Sequence, residues 1–271
     1  MEKIKEMSQK KTSRIIGIIP ARMAASRFPG KPLKNICGVP MIRHVIERSK
    51  LYNNWSYLAV ATCDNNIKQY CDEIKFPCII TSKKHKRALD RVKEAVEKLP
   101  FKAKNNDIVL NVQGDEPMMR PDMITKTIKP FQKSHNVKGT ILCMKIVDKE
   151  QYYNPDIVKV LHNLNNEIIY TSRSPVPYSK YFTPSLGAKR IYGIFAFKWN
   201  FLQKFSNLKE SPLELKESCD SNRLYDNNLF QHVADYPYID SFSVDSLKDL
   251  KKVEKFMKKD NFWKIYKNKI S

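Results

Sequence analysis

Glycine is scarce in this chain, 7 of 271 residues, so no glycine-rich linker divides it into two domains. The six cysteines, at 37, 63, 71, 78, 143 and 219, form no CxxC pair, and no histidine stands at zinc-ligand spacing from a cysteine pair. They read instead as buried, reduced thiols, as in a cytosolic protein. No apolar run approaches the ~20 residues needed to span a bilayer. The first eleven residues are polar and lysine-rich and lack the apolar stretch of a secretory signal. A cytoplasmic protein without membrane insertion is therefore expected. There is no Walker motif and no GxGxxG, which disfavours a P-loop kinase or a dinucleotide enzyme.

Acidic residues are also short: 28 Asp and Glu stand against 49 Lys and Arg, a net charge of +21. Such a chain attracts polyanions, whether nucleic acid, an acidic membrane surface or anionic metabolites. The lysines are spread along the whole length, which makes a solvated surface rather than a groove. A non-catalytic, basic nucleic-acid-binding protein is the competing reading. It requires clustered cations interleaved with aromatics on one face.

What is present is enough apolar material, 42% of residues, for a substantial core. We expect a tail over 1–13 and a single domain over 14–271. Short apolar runs at 14–20, 57–62, 78–81 and 107–112 read as buried strands, and amphipathic stretches at 40–50, 64–73 and 89–99 as helices between them. Strand-helix alternation of this kind implies a mainly parallel sheet flanked by helices. The second half is less regular, with strands expected at 139–146, 157–161, 167–171, 191–197 and 242–244. A helix is expected over 210–225, starting at Ser211-Pro212, and another over 246–258.

The chemistry concentrates where strands end. The first strand runs into a loop bearing Arg22, Arg27 and Lys31 with one glycine and two prolines. In a parallel sheet, ligands bind beyond the carboxyl ends of the strands, and fixed cations with backbone N–H groups there can hold a triphosphate. A surface loop in a basic protein is the alternative. Asp115 follows the fourth strand and Asp245 the last. Carboxylates at such positions can hold Mg²⁺ against nucleotide phosphates; either can also cap a helix, Asp245 especially.

Five segments together resemble the CMP-Kdo synthetase (3-deoxy-manno-octulosonate cytidylyltransferase) family. They are Ile18-Ile19-Pro20-Ala21-Arg22 through Arg27-x-Pro29-Gly30-Lys31-Pro32-Leu33 and on to Gly38-x-Pro40-Met41-Ile42; Ala61-Thr62-x-Asp64; Asn111-Val112-Gln113-Gly114-Asp115-Glu116-Pro117; Tyr170-x-Ser172-Arg173-x-x-x-Pro177; and Val244-Asp245-x-x-x-Asp249-Leu250. The resemblance runs in order from residue 15 to about 256. It implies a Rossmann-like nucleotidyltransferase fold with a small mixed sheet extension in the second half. Dimerisation and sugar-binding elements would fall roughly within 140–230. It further implies Mg²⁺-dependent transfer of CMP from CTP to an acidic 3-deoxy-2-keto sugar, in a homodimer that feeds lipopolysaccharide or capsule assembly. Asp115 and Asp245 would be the metal ligands, and Arg22 and Lys31 would offset triphosphate charge. Ala21 and Gln113 would lie near the nucleotide, and Arg173 would pair with the sugar carboxylate.

The chain departs from the family pattern in two places. His-x-Ser-Gly-Thr-Asp-Arg, the cytosine loop, is here His85-x-Arg87-Ala88-Leu89-Asp90-Arg91, so His85, Ala88 and Asp90 remain the nucleotide-side candidates of that loop. On the sugar side a histidine is replaced by Ile191, a Glu-Gln pair by Asp220-Ser221, and a tyrosine by Phe195. Those positions would contact sugar hydroxyls, so the acceptor is Kdo or a close relative. A nonulosonate is the alternative.

Overall fold

The computed structural model describes residues 13–24 and 27–270; the tail expected over 1–13 and Ser26 of the basic loop lie outside them, residue 13 excepted. Strand β1 (Ile15–Pro20) is followed by the short pair β2 (Asn35–Ile36) and β3 (Val39–Pro40), helix α1 (Met41–Lys50), β4 (Tyr57–Thr62), α2 (Asn65–Glu73), β5 (Cys78–Ile80), α3 (Ala88–Glu97) and β6 (Ile108–Val112). Next come α4 (Pro121–Lys133), β7 (Gly139–Lys145), α5 (Lys149–Tyr153), β8 (Lys159–His162), β9 (Ile168–Ser172), β10 (Lys189–Lys198) and α6 (Trp199–Asn207). The chain closes with α7 (Pro212–Glu217), α8 (Asn222–Tyr225), β11 (His232–Tyr236), α9 (Leu247–Met257) and α10 (Asn261–Tyr266).

Among the described residues nine strands form one sheet, in the order β11-β7-β10-β6-β1-β4-β5, with β8 joined to β10 and β9 to β8. The β6-β1-β4-β5 half is parallel, as is β11 on β7; β10 runs antiparallel to both neighbours. The β8-β9 extension is antiparallel. Continuous apolar runs make the central strands because both faces of the sheet are covered. On one face Ile19, Val60, Leu110 and Val112 pack against Ile42, Val45 and Ile46 of α1 and Ile124 and Ile128 of α4. On the other, Ile16, Ile18, Ala59 and Val109 meet Val92 and Val96 of α3 and Leu202 and Phe205 of α6. Each such side chain contributes roughly 1.5–3 kcal/mol on leaving water. No helix among the described residues is long and apolar enough to cross a membrane.

Two glycines draw the strand ends together. A Cβ on Gly114 would lie 2.8 Å from Pro20 O, and one on Gly193 would lie 2.7 Å from Glu116 Cγ. Only glycine allows the ends of β1, β6 and β10 to approach this closely. Gly193 also sits where the β10-β7 register shifts, between Ile191 and Phe195.

Two expectations are corrected. The helix over 210–225 is broken: α7 starts at Ser211, whose side chain and that of Glu214 form a capping box, and ends at Ser218, which adopts φ 50°. A left-handed residue terminates a helix, and α8 restarts at Asn222. The segment 242–244 is not a strand. Val244 N donates to Asp115 O at 3.0 Å, and Ser243 Oγ donates to Glu116 Oε1 at 2.5 Å. A side-chain bond has taken the place of a ladder, and the strand of this region is β11, upstream. Asp245 therefore follows a loop that lies across the end of β6, and Ser246 rather than Asp245 caps α9.

Candidate active site

A cavity of about 250 Å³ opens beyond β1 and β6. Ala21, Arg22, Lys31, His85, Ala88, Gln113, Asp115 and Asp245 all line it, so the structure brings together eight sequence-predicted residues from four segments. Gly30 takes φ 71° and starts the short turn Lys31–Leu33. That turn aims Lys31 inward: its Nζ donates to Asp115 Oδ2 at 2.7 Å, to Val244 O at 3.0 Å and to Asp245 Oδ1 at 3.1 Å. Burial pulls the ammonium down, but the two carboxylates outweigh it and hold its pKa above the ordinary lysine value. Arg27 pairs with Asp245 at 3.1 Å and also with Asp156. Arg22 is exposed and makes no ion pair with another described residue, so its charge is available to an anion.

The opposite wall is the start of α3. His85 Nε2 bonds to Glu94, which also accepts from Ser82 N and pairs with Lys98. Burial raises the Glu94 pKa, but these partners bring it down to about 2. His85 is thus fastened to the helix behind it. Ala88 opens α3, with Arg87 at the N-cap position. Asp90 lines neither cavity; from the first turn of α3 it faces Arg223 Nη1 at 3.5 Å.

A second cavity, about 510 Å³, adjoins the first. All four sugar-side candidates line it: Arg173, Ile191, Asp220 and Ser221. Arg173 Nε donates to Glu217 O at 2.8 Å and Nη1 to Pro155 O at 2.9 Å. Burial raises the Asp220 pKa, partly opposed by Arg87. Arg27, Gln113, Asp115 and Asp245 line both cavities and form the boundary where occupants of the two would meet.

Arg27 and three residues missed as site candidates, Asn111, Glu116 and Arg190, also matter. Arg27 was visible as the third cation of the loop. Asn111 is a lone amide within an apolar strand, 1% exposed, and neither side-chain atom has a hydrogen-bond partner. Glu116, next to Asp115, is buried, and burial first, then Asp115, push its pKa up to about 7. Arg190 is 9% exposed on β10 and faces the larger cavity.

The donor set also fits a divalent cation between Asp115 and Asp245. An ammonium already bridges the two carboxylates, and Asp115 Oδ1 is buried without a partner. Among the described residues no cluster of three or more His, Cys, Asp or Glu forms an all-protein cage. Two carboxylates leave the remaining coordination positions to phosphate and water, the arrangement Mg²⁺ favours.

This sheet order, with paired cavities beyond the strand ends, defines an α/β nucleotidyltransferase fold. The profile of the family described as Cytidylyltransferase matches residues 16–256. The 3-deoxy-manno-octulosonate cytidylyltransferase of Syntrophus aciditrophicus (strain SB) is 35% identical over 240 residues, covering 89% of this chain and 96% of that protein. The enzyme of the same name from Thermodesulfovibrio yellowstonii is 36% identical over 248 residues, again 89% and 96%. Among solved structures, CMP:2-keto-3-deoxy-manno-octonic acid synthetase complexed with CTP superposes with a TM-score of 0.81 at 32% identity, covering 91% of this chain and 99% of that one. The 4-diphosphocytidyl-2C-methyl-D-erythritol synthase of Anaerococcus prevotii shares the fold alone, with a TM-score of 0.60 at 14% identity over 91% of this chain and 99% of that one. The chain belongs to the cytidylyltransferase family, in its 3-deoxy-manno-octulosonate cytidylyltransferase branch.

Proposed function

We propose that the protein transfers CMP from CTP to an acidic 3-deoxy-2-keto sugar, Kdo or a close relative, with release of pyrophosphate. The observation that carries this reading is the boundary of Arg27, Gln113, Asp115 and Asp245 between two cavities. CTP occupies the smaller one, lined by Arg22 and Lys31, and the sugar acid the larger. The acceptor's anomeric hydroxyl attacks the α-phosphorus in line, a P–O bond forms, and the bond to the β-phosphate oxygen breaks. Holding both reactants at one boundary supplies the orientation term. Arg22 and Lys31 offset charge on the triphosphate and the departing pyrophosphate. Mg²⁺ is the proposed cofactor, held by Asp115 and Asp245, and when bound it supplies further neutralisation of phosphate charge. We also propose that the protein works in the cytoplasm as a homodimer and that its product serves lipopolysaccharide or capsule assembly.

A nonulosonate acceptor is the second reading. It is favoured by Ile191, Ser221 and Phe195, which line the larger cavity where the family pattern has hydrogen-bonding groups. Pyrophosphate release by the purified protein, with four NTPs and a panel of 2-keto-3-deoxy acids, tests both. Turnover of CTP with Kdo as best substrate selects the first, a nine-carbon acid as best substrate the second. No release with any acid overturns the transferase reading.

A further inference from the structure

The motif Ala61-Thr62-x-Asp64 has no part in the site described above, and Asp64 lines neither cavity. It stands at the N-cap position of α2 in extended backbone, φ −109° and ψ 124°. An aspartate there ordinarily accepts from the N–H groups of the helix's first turn. This one makes no such bond. Its carboxylate serves another part of the chain instead: Oδ2 accepts from Met23 N at 2.8 Å, with the Cys63 thiol 3.6 Å away. Among the described residues, no other side chain bonds to the backbone of 21–30.

Met23 is the junction of the basic loop. Its N–H belongs to the planar peptide unit that joins it to Arg22, so the Asp64 bond fixes the direction in which Arg22 leaves the end of β1. Its carbonyl accepts from Gly30 N at 2.9 Å, and Gly30 is the left-handed residue that starts the Lys31 turn. Ala21 N donates to Ala61 O at 2.9 Å and roots the loop on β4. Asp64 is itself set by its own N–H, which donates to Thr62 Oγ1 at 3.1 Å. The bonds from Asp64 through Met23 to Gly30 thus adjoin Arg22 at one end and Lys31 at the other. A negative charge beside a loop that receives an anion works against binding. The charge of Asp64 therefore does not account for its place, whereas the bond it accepts does.

We propose that Asp64 is a positioning residue for the triphosphate. It holds the loop after β1 so that Arg22 and Lys31 face the smaller cavity together before the anion arrives. Cations fixed in advance lose less freedom on binding and are aligned for the departing pyrophosphate. The assignment deepens the transferase reading above and rests on it for the identity of the anion.

Two variants separate this role from helix capping and from charge. Asp64→Ser keeps a cap oxygen for α2 but is too short to reach Met23 N. Asp64→Asn keeps an oxygen at the same reach and removes the charge. Calorimetric titration with inorganic tripolyphosphate reads the loop without turnover, and pyrophosphate release gives KM for CTP and for Kdo. In Asp64→Ser the tripolyphosphate Kd and the KM for CTP should each rise about tenfold, while the KM for Kdo stays within about threefold. Its melting temperature should stay near that of the wild type, because α2 remains capped. Asp64→Asn should bind tripolyphosphate within about threefold of wild type. Unchanged tripolyphosphate affinity in Asp64→Ser overturns the proposal, and so does a KM for Kdo that rises as much as that for CTP. A loss in Asp64→Asn as large as in Asp64→Ser overturns it too, since charge rather than the bond would then matter. If Asp64→Ser does not fold, Asp64→Ala takes its place with the same expected kinetics. A wild type that releases no pyrophosphate with any acid, yet binds tripolyphosphate and loses it in Asp64→Ser, removes the transferase reading and leaves the role of Asp64 standing. A wild type that does not bind tripolyphosphate overturns that role.

Discussion

Lys31 shows how much one side chain can reveal. Its ammonium bonds both aspartates and the carbonyl between them, so its charge marks where a cation is wanted. Removing either carboxylate has two effects: it deletes a metal-binding oxygen and lets burial act on Lys31 with less opposition. Asp115→Asn and Asp245→Asn should each lower turnover by on the order of 10²–10³-fold, the scale for losing an electrostatic contact at a reacting centre. Steady-state pyrophosphate release checks this, and near-wild-type rates in both variants would remove the two-aspartate site. Asp115 beyond β6 and the cations of the first loop were legible in the sequence because their types and positions carry the chemistry, and Asp245 was found although the strand expected before it is a loop. Arg190 was not, since nothing in its local sequence shows that β10 turns it toward the larger cavity.

At the scale of elements, the first half was readable almost strand by strand, because runs such as Tyr57–Thr62 and Ile108–Val112 are mostly apolar and bounded by polar loops. Helix α4 was not among the elements expected from the sequence, and it carries two prolines. Pro121 in fact occupies the first turn, where no N–H is needed, and Pro130 lies near the far end within an otherwise continuous helix. The interruption at Ser218 was invisible because it depends on tertiary contacts. Arg223 reaches back to Glu214 at 2.7 Å and across to Asp90 at 3.5 Å, which fixes α8 against α7 and α3. The altered stretch at Arg87-Ala88-Leu89 joins this group through Arg87, 3.7 Å from Glu214. The start of α3 is therefore braced from behind, and a braced loop beside the smaller cavity is expected to discriminate among bases. CTP with Mg²⁺ should raise the melting temperature more than UTP, ATP or GTP does at equal concentration. Equal protection by all four would show that this loop does not select the base.

For the whole molecule, stability depends on a contact between chain segments more than two hundred residues apart. His44 on α1 is fully buried; its Nε2 donates to Ile36 O at 2.9 Å, and its Nδ1 accepts from the Tyr266 hydroxyl at 2.8 Å. Arg48, one turn on and equally buried, donates to Asp260 and to the same hydroxyl. These bonds fasten α10 onto α1. They require a neutral imidazole, since a protonated Nδ1 cannot accept. Burial, reinforced by Arg48 and only partly opposed by the Ile36 carbonyl, lowers the His44 pKa from 6.5 to about 4. The folded value is depressed, so between these two values the unfolded chain binds a proton that the folded chain does not. The His44 contribution is therefore fully present above pH 6.5 and is lost as pH falls toward 4. From pH 7 to pH 5 the loss should be about 1–2 kcal/mol. Other groups titrate in the same range, so the comparison is with His44→Gln, which offers an amide donor and acceptor but no proton site. Urea unfolding at both pH values should give a wild type that weakens more on acidification than the variant, by that amount. A variant with the same pH dependence as wild type would mean that His44 titrates normally in the fold and that the α1–α10 contact does not depend on its neutrality.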